Sequence, residues 1–398
     1  MNMHSRIGNN ITISDIRIDK GPAYQELSAL IDDEKVWFRF PADVPVRARP
    51  EAFIPFCLFD AMLRKVPIVI HPDFPVSAEL LTGFEEIQDI YTCWNSDLNR
   101  TQLVATAGIQ DEKSADVYCC FSGGIDSSYS YAKHRDKITH LLVLEGFDQL
   151  KDKSGWKKCV ADRKAFADQE HKKLVDVTHN AIEFLGKRKL HWVPVLGSIL
   201  ACLGVTLNAE TFIVPSSNTY ADLFPCGSHP LLEVNWSTEN TKIIHDGCEA
   251  SRTRKTEFVA QFQDLLDQLQ VCCYSQCDNC GNCSKCVRTS IILDVLGKNS
   301  ASLPDYQSHG ELKQLQPYDN GTLSYMDDFA VFMHKHGRHD IKKQLLKMKR
   351  NYIITSNMTM IAKTILGNRV RNLKQKFFPR PWEAYRTGLV ARKSILDD

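Results

Sequence analysis

Asp116 to Phe121 (DVYCCF) reads as an apolar strand, Ser122 to Ser127 (SGGIDS) as a tight turn, Ser127 to about His134 as a helix start, and Thr139 to Gly146 (THLLVLEG) as a second strand. This βαβ order constrains the chain more than any other feature, because two strands joined through a helix run parallel. A charged helix is then expected from about Val160 to Lys187, a strand over Leu190 to Leu196, a helix over Gly197 to Leu207 and a strand over Thr211 to Ser217. The alternation predicts an α/β fold on a doubly wound parallel sheet, whose ligands bind beyond the carboxyl ends of the strands.

The flanking regions are read from the same patterns. Residues 1–112 form a small α/β region, with strands at Lys35 to Phe40 and Val66 to Ile70, a helix over Ala52 to Arg64, and no catalytic constellation. The charged run Asp111 to Asp116 separates it from a central unit, 113–300, and residues 301–398 make a basic helical region. A length of 398 residues with 43% hydrophobic content suits two or three globular domains and excludes a disordered or fibrous chain. The first residues contain no apolar run of secretory length, so a cytoplasmic location is expected. Leu190 to Ala209 lacks formal charge, but His191, Pro194, Ser198, Thr206 and Asn208 favour a buried strand and helix over a membrane span.

The turn at Ser122 has the composition of an anion cradle. Gly123 and Gly124 let the backbone take positive φ and approach a phosphate without a Cβ clash. The following helix N-terminus supplies partial positive charge, and Ser122, Ser127 and Ser128 add hydroxyl donors. Asp126 is the odd member: a carboxylate facing a triphosphate repels it unless Mg²⁺ bridges the two. The spacing is not that of a Walker A loop, whose lysine is missing. An ordinary Ser-Gly-Gly turn before a helix is the competing reading.

In this strand–turn–helix setting SGGIDS resembles the SGGxDS signature of the PP-loop ATP pyrophosphatase superfamily, which includes asparagine synthetase, GMP synthetase, NAD synthetase, argininosuccinate synthetase, tRNA thiolases and 7-cyano-7-deazaguanine synthase. The resemblance runs from Asp116 to Arg288. It implies cleavage of ATP between the α and β phosphates, giving an adenylated substrate and pyrophosphate. It also implies that the strand Leu141 to Gly146 lies beside the adenine, and that the polar loop Ser216 to Asp222 contacts substrate or nucleotide. Ser217, Asn218, Asp222 and, further on, His229 are the substrate-binding candidates. Arg252, Arg254 or Lys255 can neutralise the departing pyrophosphate, although the same residues also read as a solvated basic helix start. Asp126 and Lys255 are the catalytic candidates.

Val271 to Thr289 reads VCCYSQCDNCGNCSKCVRT, which holds six of the 14 cysteines: Cys272, Cys273, Cys277, Cys280, Cys283 and Cys286. Cys-x2-Cys spacing lets two thiolates of one turn point at one metal, so a structural zinc is favoured over an iron–sulfur cluster or redox cysteines. Equal spacing selects Cys277, Cys280, Cys283 and Cys286. The stretch from Cys273-Tyr274 through Cys280-Gly281-x-Cys283-x-x-Cys286-x-Arg288 instead resembles the zinc motif of 7-cyano-7-deazaguanine synthase, which implies Cys273, Cys280, Cys283 and Cys286. That synthase is short and has its loop at the amino end, whereas here about 115 residues precede the loop. The acceptor substrate therefore stays open.

From Val331 to Asp398 there are 16 Lys and Arg against four Asp and Glu, a surplus of +12, so with a total of +1 the first 330 residues carry −11. Apolar residues such as Ile341, Leu345, Leu346 and Met348 have helical spacing, and Phe377, Phe378, Trp382 and Tyr385 are interleaved with the cations. A nucleic-acid appendage, an anionic surface anchor and a helical pair packed on the acidic body all fit this pattern. The leading expectation is an ATP-dependent ligase or amidotransferase-like enzyme using ATP, Mg²⁺ and Zn²⁺. It adenylates a small-molecule carboxylate or carbonyl oxygen for attack by an amine or ammonia, alone or as a homo-oligomer. A tRNA-modifying, thiolation-type enzyme is the alternative, and a nucleotide-binding regulatory protein the third reading.

Overall fold

The computed structural model describes residues 9–108, 112–146, 153–272, 274–275, 278–307, 309–317 and 320–366. Three antiparallel strands come first: β1 (Ile11–Lys20), β2 (Tyr24–Ile31) and β3 (Glu34–Pro41). Asp32 and Asp33 turn the chain between β2 and β3 at φ of 49° and 65°, the left-handed pair a two-residue hairpin needs. Helix α1 (Ile54–Arg64) leads to β4 (Ile68–Ile70), and α2 (Ala78–Trp94) to β5 (Leu103–Val104).

The parallel half of the sheet follows. Strands β6 (Val117–Cys120), β7 (His140–Leu144) and β8 (Lys173–His179) are laid side by side, joined through α3 (Ile125–His134) and α4 (Lys153–Gln169). After α5 (Ala181–Lys187) and α6 (Leu196–Thr206) the chain crosses to the other side of β6, where β9 (Thr211–Pro215) and then β10 (Lys242–Asp246) add in parallel. Winding therefore reverses between β6 and β9, which opens a crevice at the carboxyl ends of those strands. Because β8 pairs antiparallel with β3, all ten strands form one mostly parallel sheet in the order β10-β9-β6-β7-β8-β3-β2-β1-β4-β5. Residues on both sides of position 112 thus share one sheet and one apolar core.

The period-2 alternation of the strands sorts side chains between two layers. Tyr118, Leu142, Phe212 and Val214 pack toward α1, α2 and α6, whereas Phe121, Leu141, Val143 and Ile213 pack with Tyr131, Phe166 and Val259. Two sequence expectations are corrected. The single helix over Val160 to Lys187 is instead α4, β8 and α5: His171 takes φ 54°, Lys172 N–H closes on Ala167 O, and Leu174, Val175 and Val177 enter the core. The strand over Leu190 to Leu196 is instead a 3-10 turn, Val193–Val195, that runs into α6. Pro194, which has no N–H to give a ladder, sits inside that turn. Among the described residues no helix is long and apolar enough to cross a membrane.

Helices α7 (Pro230–Glu233), α8 (Arg252–Val259), α9 (Gln263–Leu266), α10 (Ser284–Val295), α11 (Asn320–Lys335) and α12 (His339–Leu366) follow among the described residues. Ile291 of α10, Phe329 and Met333 of α11, and Ile341 and Leu345 of α12 form a separate core. Lys335 pairs with Glu257 of α8 and Arg338 with Asp294 of α10, so part of the basic surplus fastens this hairpin to the body. Lys343, Lys347 and Arg350 are exposed on α12. Phe377, Phe378, Trp382 and Tyr385 lie outside the described residues.

Candidate functional site

The SGGIDS turn leaves β6 at the edge of the switch-point crevice. Gly123 takes φ 81°, and a Cβ there would lie 2.5 Å from Arg163 Nη1, so both backbone and space demand glycine. Gly124 caps α3. Ser127 Oγ donates to Gly124 O at 2.9 Å, and Gly124 N–H donates to Ser122 Oγ at 3.3 Å. Ser122, Gly124, Asp126 and Ser127 line a cleft of about 300 Å³. Its other walls are Val143, Leu144 and Gly146 at the end of β7, Trp156 and Cys159 of α4, and Ser217 beyond β9. Ser128 is buried within the first turn of α3, away from the cleft lining.

Asp126 is the one acid among the described lining residues, and it is clamped between cations. Arg252 Nη2 lies 2.5 Å from one carboxylate oxygen and Lys255 Nζ 3.3 Å from the other, while Ser217 Oγ donates to it at 3.4 Å. Burial alone raises the Asp126 carboxyl, but Arg252 and Lys255 outweigh it and hold the group below the usual carboxylate range. Lys255 is 1% exposed and also donates to Ser216 O at 2.6 Å. Gly247, at φ 98°, leaves it room, since a Cβ there would lie 3.2 Å from Nζ. Arg252 and Lys285 both line the cleft, so its described charged groups favour an anion.

The cysteine-rich segment forms the facing wall. Cys272, Cys280, Cys283 and Cys286 bring their sulfurs within 4.8 Å of one another, a set that can hold a metal ion such as zinc. Asn279 shapes the loop: its Oδ1 accepts from Val271 N–H at 2.9 Å and Cys272 N–H at 3.2 Å, and its Nδ2 donates to Leu269 O and Ser302 O, each at 2.8 Å. Tyr274 N–H donates to Cys272 Sγ at 3.3 Å and Cys286 N–H to Cys283 Sγ at 3.4 Å, the bonds that disperse charge on metal-bound thiolates. The Cys283 neighbour and burial push the Cys286 thiol up, a penalty that a cation among the sulfurs relieves. Among the described residues the fourth sulfur is that of Cys272; Cys273, implied by the resemblance, and Cys277 lie outside them. Cys272 also lines the cleft, and Gln270 N–H donates to Gly123 O at 2.7 Å, so the cluster and the SGGIDS turn brace each other.

Of the four substrate candidates, Ser217 lines the cleft. Asn218 bonds back to Ser216 through its backbone, and Asp222 is exposed and accepts from Thr219 Oγ1 at 2.8 Å. His229 is a buried helix cap: its Nδ1 accepts from Leu231 N–H at 3.1 Å, its ring meets Trp94 edge-on, and burial lowers it to about 4. It is not among the cleft lining. Sequence reasoning missed Lys285, which lines the cleft from between two cysteines of the cluster, and Arg163, which sits one turn beyond the cleft-lining Cys159 on α4 and lies against Gly123. His245, which the sequence pairs with His229 as a residue more often satisfied than catalytic, is hydrogen-bonded to Glu233 and to Cys248, whose thiol reaches Ser216 Oγ at 3.2 Å. No family model, curated protein or solved structure matches the chain.

Proposed function

We propose that the chain is a PP-loop-type ATP pyrophosphatase that adenylates a carboxylate or carbonyl oxygen, releasing pyrophosphate, for attack on the adenylate by an amine or ammonia. The observation that carries this reading is the placing of SGGIDS at the topological switch point, on the N-terminus of α3, opposite Arg252 and Lys285. Phosphates fit against the Gly124–Ser127 turn, and the adenine against Val143, Leu144 and Gly146. The acceptor then enters beside Ser217. Asp126 is the residue to hold Mg²⁺, which would screen the phosphates from the carboxylate; Arg252, set free from Asp126, turns to the anion. Lys255, fixed by Ser216 O, keeps a positive charge behind the site where pyrophosphate departs. Cys272, Cys280, Cys283 and Cys286 would hold zinc as a closed structural site that stiffens the facing wall.

Pyrophosphate release should be measured across a panel of carboxylates and amines with Mg·ATP, using Asp126→Asn as the control. Substrate-dependent release by the parent chain and none by the variant supports the reading; full activity in Asp126→Asn contradicts the assignment of Mg²⁺. The exposed Lys343, Lys347 and Arg350 on α12 favour a tRNA-modifying enzyme as the second reading. That reading requires salt-sensitive tRNA binding, and no binding at low salt removes it.

A further inference from the structure

We infer that Arg163 is the buried counter-charge of the phosphates that occupy the cleft, acting on them across Gly123 as a positioning residue. The inference rests on reading the cleft as a phosphate site. Arg163 is 3% exposed, yet it makes no ion pair among the described residues. Its Nη1 donates to Gln268 O at 2.7 Å, and its buried Nε has no hydrogen-bond partner. Other arginines with little exposed side chain are compensated: Arg49 pairs with Glu51 and Arg188 with Glu34, and the partly buried Arg252 pairs with Asp126. The adjacent Asp162 is partly exposed and faces Lys158 instead.

A guanidinium without an acid in a dry interior is costly, and burial accordingly lowers Arg163 from its ordinary value. The place where this cost is borne is informative. The guanidinium lies against Gly123, where a Cβ would fall within 2.7 Å of both Nη atoms. The glycine thereby brings a fixed cation directly behind the turn that faces the cleft. An anion on the other side of that turn supplies the missing negative charge, and no protein group has to move to provide it. Phe121, whose ring centroid lies 5.7 Å from the guanidinium carbon, and the bond to Gln268 O hold the cation in this position.

The test uses full-length, zinc-loaded protein and inorganic pyrophosphate as the probe, with calorimetric affinity and ligand-free melting temperature measured for the parent, Arg163→Met and Arg163→Lys. Arg163→Met should weaken pyrophosphate binding on the order of tenfold or more without lowering the ligand-free melting temperature, and Arg163→Lys should recover part of the affinity. A Met variant that melts lower but binds normally makes Arg163 a structural strut and overturns the inference. So does a parent chain that does not bind pyrophosphate. Should the Met variant lose both properties, a normally melting Lys variant decides: regained affinity supports the inference, continued loss overturns it. Arg163-dependent pyrophosphate binding without AMP formation from ATP would leave this inference standing while removing the proposed reaction.

Discussion

Asp126→Asn removes one negative charge from between two cations. Lys255 keeps Ser216 O at 2.6 Å but faces a neutral amide in place of a carboxylate, inside the protein, and Arg252 loses its carboxylate contact at 2.5 Å. Breaking a buried pair from one side costs about 3–5 kcal/mol. The Asp126 and Arg252 side chains retain 15% and 13% exposure, which places the loss near the lower limit, about 3 kcal/mol. Urea unfolding of a double-mutant cycle should show that Asp126→Asn and Lys255→Met together cost at least about 1 kcal/mol less than the sum of the two alone. Because both cations are released, Mg²⁺-free pyrophosphate should bind Asp126→Asn more tightly than it binds the parent. The reasoning fails if the cycle is additive within about 0.5 kcal/mol, or if the variant binds Mg²⁺-free pyrophosphate more weakly. The pH sign is that of a depressed acid: the contribution of Asp126 is complete above about pH 4 and disappears as pH falls through its lowered folded value.

His245 behaves oppositely. Burial lowers it, but hydrogen bonds with Cys248 and Glu233 prevail and push it up to about 9. Its stabilisation is therefore complete below about pH 6.5 and is lost as pH rises through about 9; urea midpoints over this range should fall, and an equal fall in His245→Gln would contradict the assignment. Chelation, or Cys272→Ser, should release the metal and weaken pyrophosphate binding, because Gln270 and Cys272 connect the cluster to the cleft; metal content and calorimetry read both, and unchanged affinity in metal-free protein would separate the two sites. Gly123→Ala should cost at least about 1 kcal/mol, since φ 81° and the Arg163 guanidinium both oppose a methyl group; unchanged urea stability would refute that account.

The βαβ unit and its loop are legible in the chain because strand, glycines and helix start are contiguous between Asp116 and His134. The cysteine cluster is legible through spacing, yet spacing alone does not place Cys272 in it; among the described residues the Asn279 hydrogen bonds orient the Cys272 backbone beside Cys280, Cys283 and Cys286. Strand β8 is hidden because KLVDVTH lies between charged helical segments and gains its place by pairing with β7 and β3. Lys255 could be named from sequence, but its partner Asp126 lies 129 positions away, and only the crossing between β6 and β9 brings them together. Arg163 left no local signal at all: what singles it out is a buried setting with no acid paired to it among the described residues.

The central claim is that the cleft at the β6–β9 switch point splits ATP between its α and β phosphates. Separating the nucleotide products formed from Mg·ATP with an accepted carboxylate tests it most directly. AMP and pyrophosphate in equal amounts, both lost in Asp126→Asn, are the predicted result; ADP and orthophosphate would contradict it.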